Sequence, residues 1–133
     1  MKYICLGYLE PGKFENMSES ERNTVLDACF SYNEELCNNG HLLAEIPLQA
    51  ADTAVTVGWK NGEVAVTDGP YAETKEQLGG IQILEARDLN HAIQLISQSP
   101  GVKLQCGNIE IRPAADISDL IQESNGRRKD SSR

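Results

Sequence analysis

Asp68-Gly69-Pro70-Tyr71-Ala72-Glu73-Thr74-Lys75-Glu76-Gln77-Leu78-Gly79-Gly80 is the stretch on which the reading of the chain turns. A valine-rich run, Glu63 to Thr67, leads into it, and an apolar run, Ile81 to Ala86, leaves it. Gly69-Pro70 is turn punctuation, and Gly79-Gly80 marks a second change of direction. Glu73 and Glu76 lie between the two breaks, with Thr74 and Lys75 among them and Asp68 just outside. A loop that merely joins two strands is usually shorter and poorer in chemistry.

Immediately upstream, Thr53 to Lys60 and Glu63 to Thr67 flank Asn61-Gly62, a strong two-residue hairpin signal. That turn fixes a register: Lys60 opposite Glu63, Trp59 opposite Val64, Val57 opposite Val66, Val55 opposite Asp68. Val55, Val57, Trp59, Val64 and Val66 then share one face, and a regular strand puts Asp68 on it too. A carboxylate at the end of an apolar face is costly unless paired or hydrogen-bonded.

Working outward, Tyr3 to Leu9 is apolar on both faces, as expected of a central strand covered on both sides. Ser18-Glu19-Ser20-Glu21 reads as a capping box opening a helix that runs to Asn39 and stops at Gly40. Its apolar stripe is Val25, Leu26, Cys29, Phe30, Leu36 and Cys37. At 100° per residue Asn33 falls inside that stripe, so its amide needs a partner: backbone at a sheet edge, or a ligand. His41 to Ile46 is a short strand ended by Pro47. Asp88 caps a second helix to Ser99, with Leu89, Ala92, Ile93 and Ile96 inward, and Gln105 to Arg112 is the last core strand. Asp116 to Glu123 has helical spacing. Residues 125–133 are polar and read as a disordered tail, leaving 1–124 as one domain.

The order predicts an α+β sandwich, βαββαβ with an extra hairpin, with an antiparallel sheet and helices on one face. Two helices cover one side only, yet the strands at Tyr3–Leu9 and Gly80–Ala86 are apolar on both. The expected partner is a second copy, giving a homodimer through the helix-free sheet face.

A formal charge of −8 argues against nucleic-acid or anionic-membrane surfaces as partners. Cys5, Cys29, Cys37 and Cys106 form no C-x-x-C pair. Cys29 and Cys37, eight residues apart on one helix, would be roughly 12 Å apart, too far for a disulfide. Reduced thiols and an N-terminal apolar run broken by Glu10-Pro11 predict a cytoplasmic protein.

The thirteen-residue stretch resembles the signature of the DGPF-domain proteins, a branch of the YCII-related family, with Tyr71 where the family has Phe. The resemblance continues in Met1-Lys2-Tyr3, in Glu85-Ala86-Arg87-Asp88-Leu89 and in Glu110-Ile111-Arg112-Pro113, and so spans Met1 to Pro113. It implies a ferredoxin-like fold of the dimeric α/β-barrel type. It also implies a regulatory setting, since such genes often lie beside extracytoplasmic-function sigma factors. Related YCII proteins are thought to use a His–Asp pair. Here His41 and His91 both sit at element starts, and for His41, at a corner after Gly40, a surface role is the plainer reading.

Neither histidine has a second ligand at i+4, no glycine-rich phosphate loop precedes a helix, and no nucleophile elbow is present. No metal or cofactor is expected. The remaining candidates lie in the motif. Asp68 is a candidate general base if its surroundings raise its pKa, and equally a turn residue bonding backbone two positions on. Tyr71, Glu73 and Lys75 are candidate ligand contacts, with Asn33 across the fold. Two functions follow: a dimeric small-molecule enzyme or binding protein with a pocket near the motif, or a non-enzymatic regulatory module linked to sigma-factor signalling.

Overall fold

The computed structural model describes residues 1–131; residues 132 and 133 of the expected tail lie outside the described residues. The chain runs β1 (Lys2–Leu9), α1 (Glu19–Asn38), β2 (Leu42–Pro47), β3 (Val55–Lys60), β4 (Glu63–Asp68), β5 (Gln77–Glu85), α2 (Leu89–Ser97), α3 (Pro100–Lys103), β6 (Gly107–Pro113) and α4 (Ser118–Ser131). Strands β2-β5-β1-β6 form one sheet, and β3 and β4 form a separate two-stranded arm. Every neighbouring pair is antiparallel. This is the expected α+β, ferredoxin-like arrangement with an extra hairpin.

Local chemistry sets the boundaries. Ser18 Oγ accepts the Glu21 amide at 3.1 Å and starts α1. Gly40, at φ +79°, ends it, and the His41 amide returns to the Leu36 carbonyl at 2.8 Å. Asp88 caps α2 by accepting the His91 amide at 2.8 Å. Asn61 and Gly62 both take positive φ, as a type I′ turn requires, and the arm has the register read from the sequence, Val55 opposite Asp68.

Registers also assign the faces. Tyr3, Cys5 and Gly7 of β1 sit opposite Leu84, Gln82 and Gly80 of β5. Tyr3, Cys5, Leu84 and Leu42 are buried with Leu36, Ala92 and Ile96 of the helices. Tyr32 Oη donates to the Leu95 carbonyl at 2.6 Å and ties α1 to α2. The alternate residues Ile4, Leu6, Ile81 and Ile83 pair across β1 and β5 on the face without helices.

The arm, the tail and Phe30 stand apart from this core. The apolar face of the arm is open in the single chain: Val57 is 68% and Trp59 72% exposed, with Val55, Val64 and Val66 similar. A two-stranded ribbon has no third layer of its own to cover that side. The polar tail is not irregular among the described residues, because α4 continues through Ser131. It begins with Asp116 Oδ1 accepting the Ser118 amide, and Ile117, Leu120 and Ile121 remain exposed. Phe30 of α1 likewise points to solvent rather than joining the apolar stripe.

Candidate functional site

Gly7 and Gly80 stand opposite each other on the helix-facing side of the sheet, one step beyond Cys5 and Gln82. Neither carries a side chain to fill the space beneath α1 and α3. The result is a cavity of about 390 Å³. Its roof is Val25, Leu26, Cys29 and Asn33, one stripe of α1. Val102, Cys106 and Ile109 close the side towards α3 and β6, and Phe14 and Glu15 stand at the mouth. The glycines are not held by sterics: a Cβ on Gly7 would come no nearer than 3.6 Å to the Gly80 carbonyl oxygen, and one on Gly80 3.5 Å from that of Ile46.

The polar wall is built by pairing. Asn33 Nδ2 donates to both carboxylate oxygens of Glu45, at 2.9 and 3.0 Å. Glu45 lies opposite Gln82 in the β2–β5 ladder, so the three polar groups share one side of the cavity. Asn33 therefore meets neither of its two expected partners but a carboxylate. Burial, with Cys106 and Glu45 nearby, pushes the Cys29 thiol up, against a backbone hydrogen bond at Gly101. Burial alone pushes Cys5 up to about 11. Both thiols are therefore neutral at pH 7, and neither has the lowered pKa of an activated nucleophile.

The motif divides between arm and cavity. Asp68 is exposed and makes no side-chain hydrogen bond among the described residues, while Tyr71 is 93% exposed and Glu73 is exposed. None of the three lines the cavity. Lys75 reaches Glu10 at the mouth, with Nζ 3.6 Å from Oε1. Glu76 accepts the Asn108 amide on both oxygens at 3.1 Å and lines a smaller adjoining cavity of about 220 Å³. Thr74 Oγ1 closes the loop on the Glu76 carbonyl. Gly79 and Gly80 complete the floor.

Sequence reasoning missed Glu45 and Gln82. Their signal was the antiparallel ladder that places them side by side, which single-strand periodicity does not reveal. It also missed the approach of His41 and His91, whose rings meet edge to face at 5.1 Å. His41 Nδ1 lies 3.1 Å from the Glu85 carbonyl, and His91 Nδ1 accepts the Arg87 amide at 3.0 Å. Burial, Arg87 and His41 lower the His91 pKa, against Asp88. This pair lies outside the cavity, and among the described residues no cluster of three or more His, Cys, Asp or Glu is arranged to hold a metal ion.

The YCII-related domain matches residues 1–118. This chain belongs to the YCII-related family. One relative, an uncharacterized protein of Rhizobium meliloti (strain 1021), is 29% identical over 115 residues, covering 86% of this chain and 93% of the relative. Among solved structures, the chain is similar to 5-chloro-2-hydroxyhydroquinone dehydrochlorinase (TftG) from Burkholderia phenoliruptrix AC1100, in complex with 2,5-dihydroxybenzoquinone. The TM-score is 0.53 at 16% identity, over 86% of this chain and 94% of that one. That likeness carries the fold, an α+β unit of antiparallel sheet and helices. Among the described residues no helix is long and apolar enough to cross a membrane.

Proposed function

We propose that this YCII-related chain is a dimeric small-molecule-binding protein or enzyme whose ligand occupies the glycine-floored cavity. The observation that carries the reading is the pair Gly7–Gly80: sterics admit a Cβ there, and the bare glycines leave a concave, mainly apolar space with a few convergent polar groups. The similar fold of a dehydrochlorinase, solved with a small ring compound, supports a small-molecule role. In this reading Glu45 is the carboxylate that meets the ligand, the role that the motif alone gives to Asp68. Lys75 acts at the mouth through Glu10.

A metabolite screen by thermal shift tests it, since a ligand that binds only the folded state raises the melting temperature. Hits should be lost in Gly7→Val, whose side chain projects into the cavity, and kept in Asp68→Asn and Asp68→Ala. Hits that survive Gly7→Val, or vanish with Asp68→Asn, would move the site to the motif loop with Tyr71 and Glu73.

One observation favours the second reading, a regulatory module: the bare apolar face of the arm. If the chain is a dimer and stays one after Val57→Lys and Trp59→Lys, that face is free for another protein.

A further inference from the structure

The ionic groups of the cavity have one sign. Glu45, itself exposed, stands on the open wall and Glu10 and Glu15 at the mouth, while no Lys, Arg or His is among the described residues that line the cavity. Three cations beside the lining residues are engaged elsewhere: Lys75 lies 3.6 Å from Glu10, Lys13 donates to the Gln105 carbonyl, and Arg22 donates to the Glu15 and Met17 carbonyls at 3.3 and 2.8 Å. Among the described residues, Glu45 receives donors only from the single Asn33 amide nitrogen, in a forked contact. A carboxylate has about four lone-pair sites, so it retains acceptor capacity. The Asn33 amide oxygen beside it is a further acceptor, and Gln82 lies next to both.

These groups discriminate by charge. An anionic ligand would place like charge against Glu45 with no cation among the described lining residues to offset it. An ammonium carries three donors and no acceptor, which complements Glu45 and the Asn33 oxygen. The remaining lining, Val25, Cys29, Val102 and Ile109 over the glycine floor, suits an apolar body. The chain's net charge of −8 would also draw a cation towards the mouth. We infer that the ligand is a monocationic amine with a compact apolar body, its ammonium held by Glu45 and Asn33 and its body lying on Gly7 and Gly80. This inference rests on the proposed use of the cavity and adds the chemical class of its occupant.

Three near-isosteric probes test it by calorimetry and thermal shift: 2-phenylethylammonium, 2-phenylethanol and 3-phenylpropionate. The ammonium should bind and raise the melting temperature, the alcohol should bind more weakly, and the carboxylate should give no shift. Glu45→Gln keeps an acceptor for the Asn33 amide and should weaken the ammonium about tenfold or more. Gly7→Val should abolish its binding. An ammonium that gives no response, or whose affinity is unchanged in Glu45→Gln, overturns the inference. So does a carboxylate that binds as tightly as the ammonium. If that carboxylate response is lost in Gly7→Val, the cavity remains the site and only its charge preference falls.

Discussion

Gly7 and Gly107 are both strand glycines, and the space around them gives opposite expectations. A Cβ at Gly7 meets nothing closer than 3.6 Å, whereas one at Gly107 would lie 2.4 Å from the Tyr8 carbonyl oxygen. Gly7→Ala should therefore stabilise the fold by roughly 0.5–1 kcal/mol, by lowering the entropy of the unfolded chain. Gly107→Ala should destabilise it, because backbone rather than a flexible side chain must move. Urea denaturation of the two variants checks both signs. Gly79 is intermediate: its nearest neighbour, at 2.7 Å, is the tip of the Leu9 side chain, which can turn aside. Cys5 supplies a pH expectation. Its pKa is raised to about 11 by burial, so the folded state favours the neutral thiol. The associated stability is present below the unfolded value, near 9, and is lost as pH rises towards 11. That loss is roughly 2–3 kcal/mol at full ionisation, with the raised Cys29 and Tyr32 acting in the same direction. The fall in stability between pH 9 and pH 11 should be shallower in Cys5→Ala than in the parent chain.

Elements were legible where one repeating signal decided them. The Asn61-Gly62 turn fixed the arm's register residue for residue, and the Ser18 and Asp88 caps placed the starts of α1 and α2. Asn33 was legible as a core-facing amide because helical periodicity is local. Its partner Glu45 was not, since that contact depends on how β2 aligns with β5, beyond a register shift between Leu42 and Ala44. The motif drew attention to Asp68 and Tyr71 through their chemistry, yet the residues that reach the cavities are Glu76, Gly79 and Gly80, two of them without a functional group. An absent side chain leaves no chemical signature in a sequence. Helix α4 shows the opposite effect. Its polar composition suggested disorder, while i,i+4 contacts such as Arg128 Nε with Ser124 Oγ at 3.1 Å accompany a regular helix. Its apolar residues stay exposed, so truncation after Ser124 should leave the melting temperature nearly unchanged. A large drop in that measurement would show that the helix end docks on the core.

In the single chain the helix-free sheet face carries half-buried apolar residues, Ile4, Leu6, Ile81 and Ile83, and the arm carries exposed ones. Burying both against a second copy is the arrangement we propose for the dimer. Sedimentation equilibrium should give twice the chain mass at micromolar concentration. If the arm takes part, Val57→Lys with Trp59→Lys should shift the equilibrium towards monomer without lowering the stability of the monomer itself. A parent chain that sediments as a monomer would remove the dimer from the proposal. The arm's place in the chain has a separate consequence. It is inserted between β2 and β5, which are direct neighbours in the sheet, and the insertion is pinched shut where the Leu48 amide donates to the Gly79 carbonyl at 2.9 Å. The four-stranded sheet therefore closes without the arm. The arm itself is modular: a short turn could replace Val55–Asp68, or a foreign hairpin be grafted there, while Gln77 and Leu78 keep their pairing with Leu9 and Tyr8 and the ladder from Pro47 and Gly80 onward keeps its register.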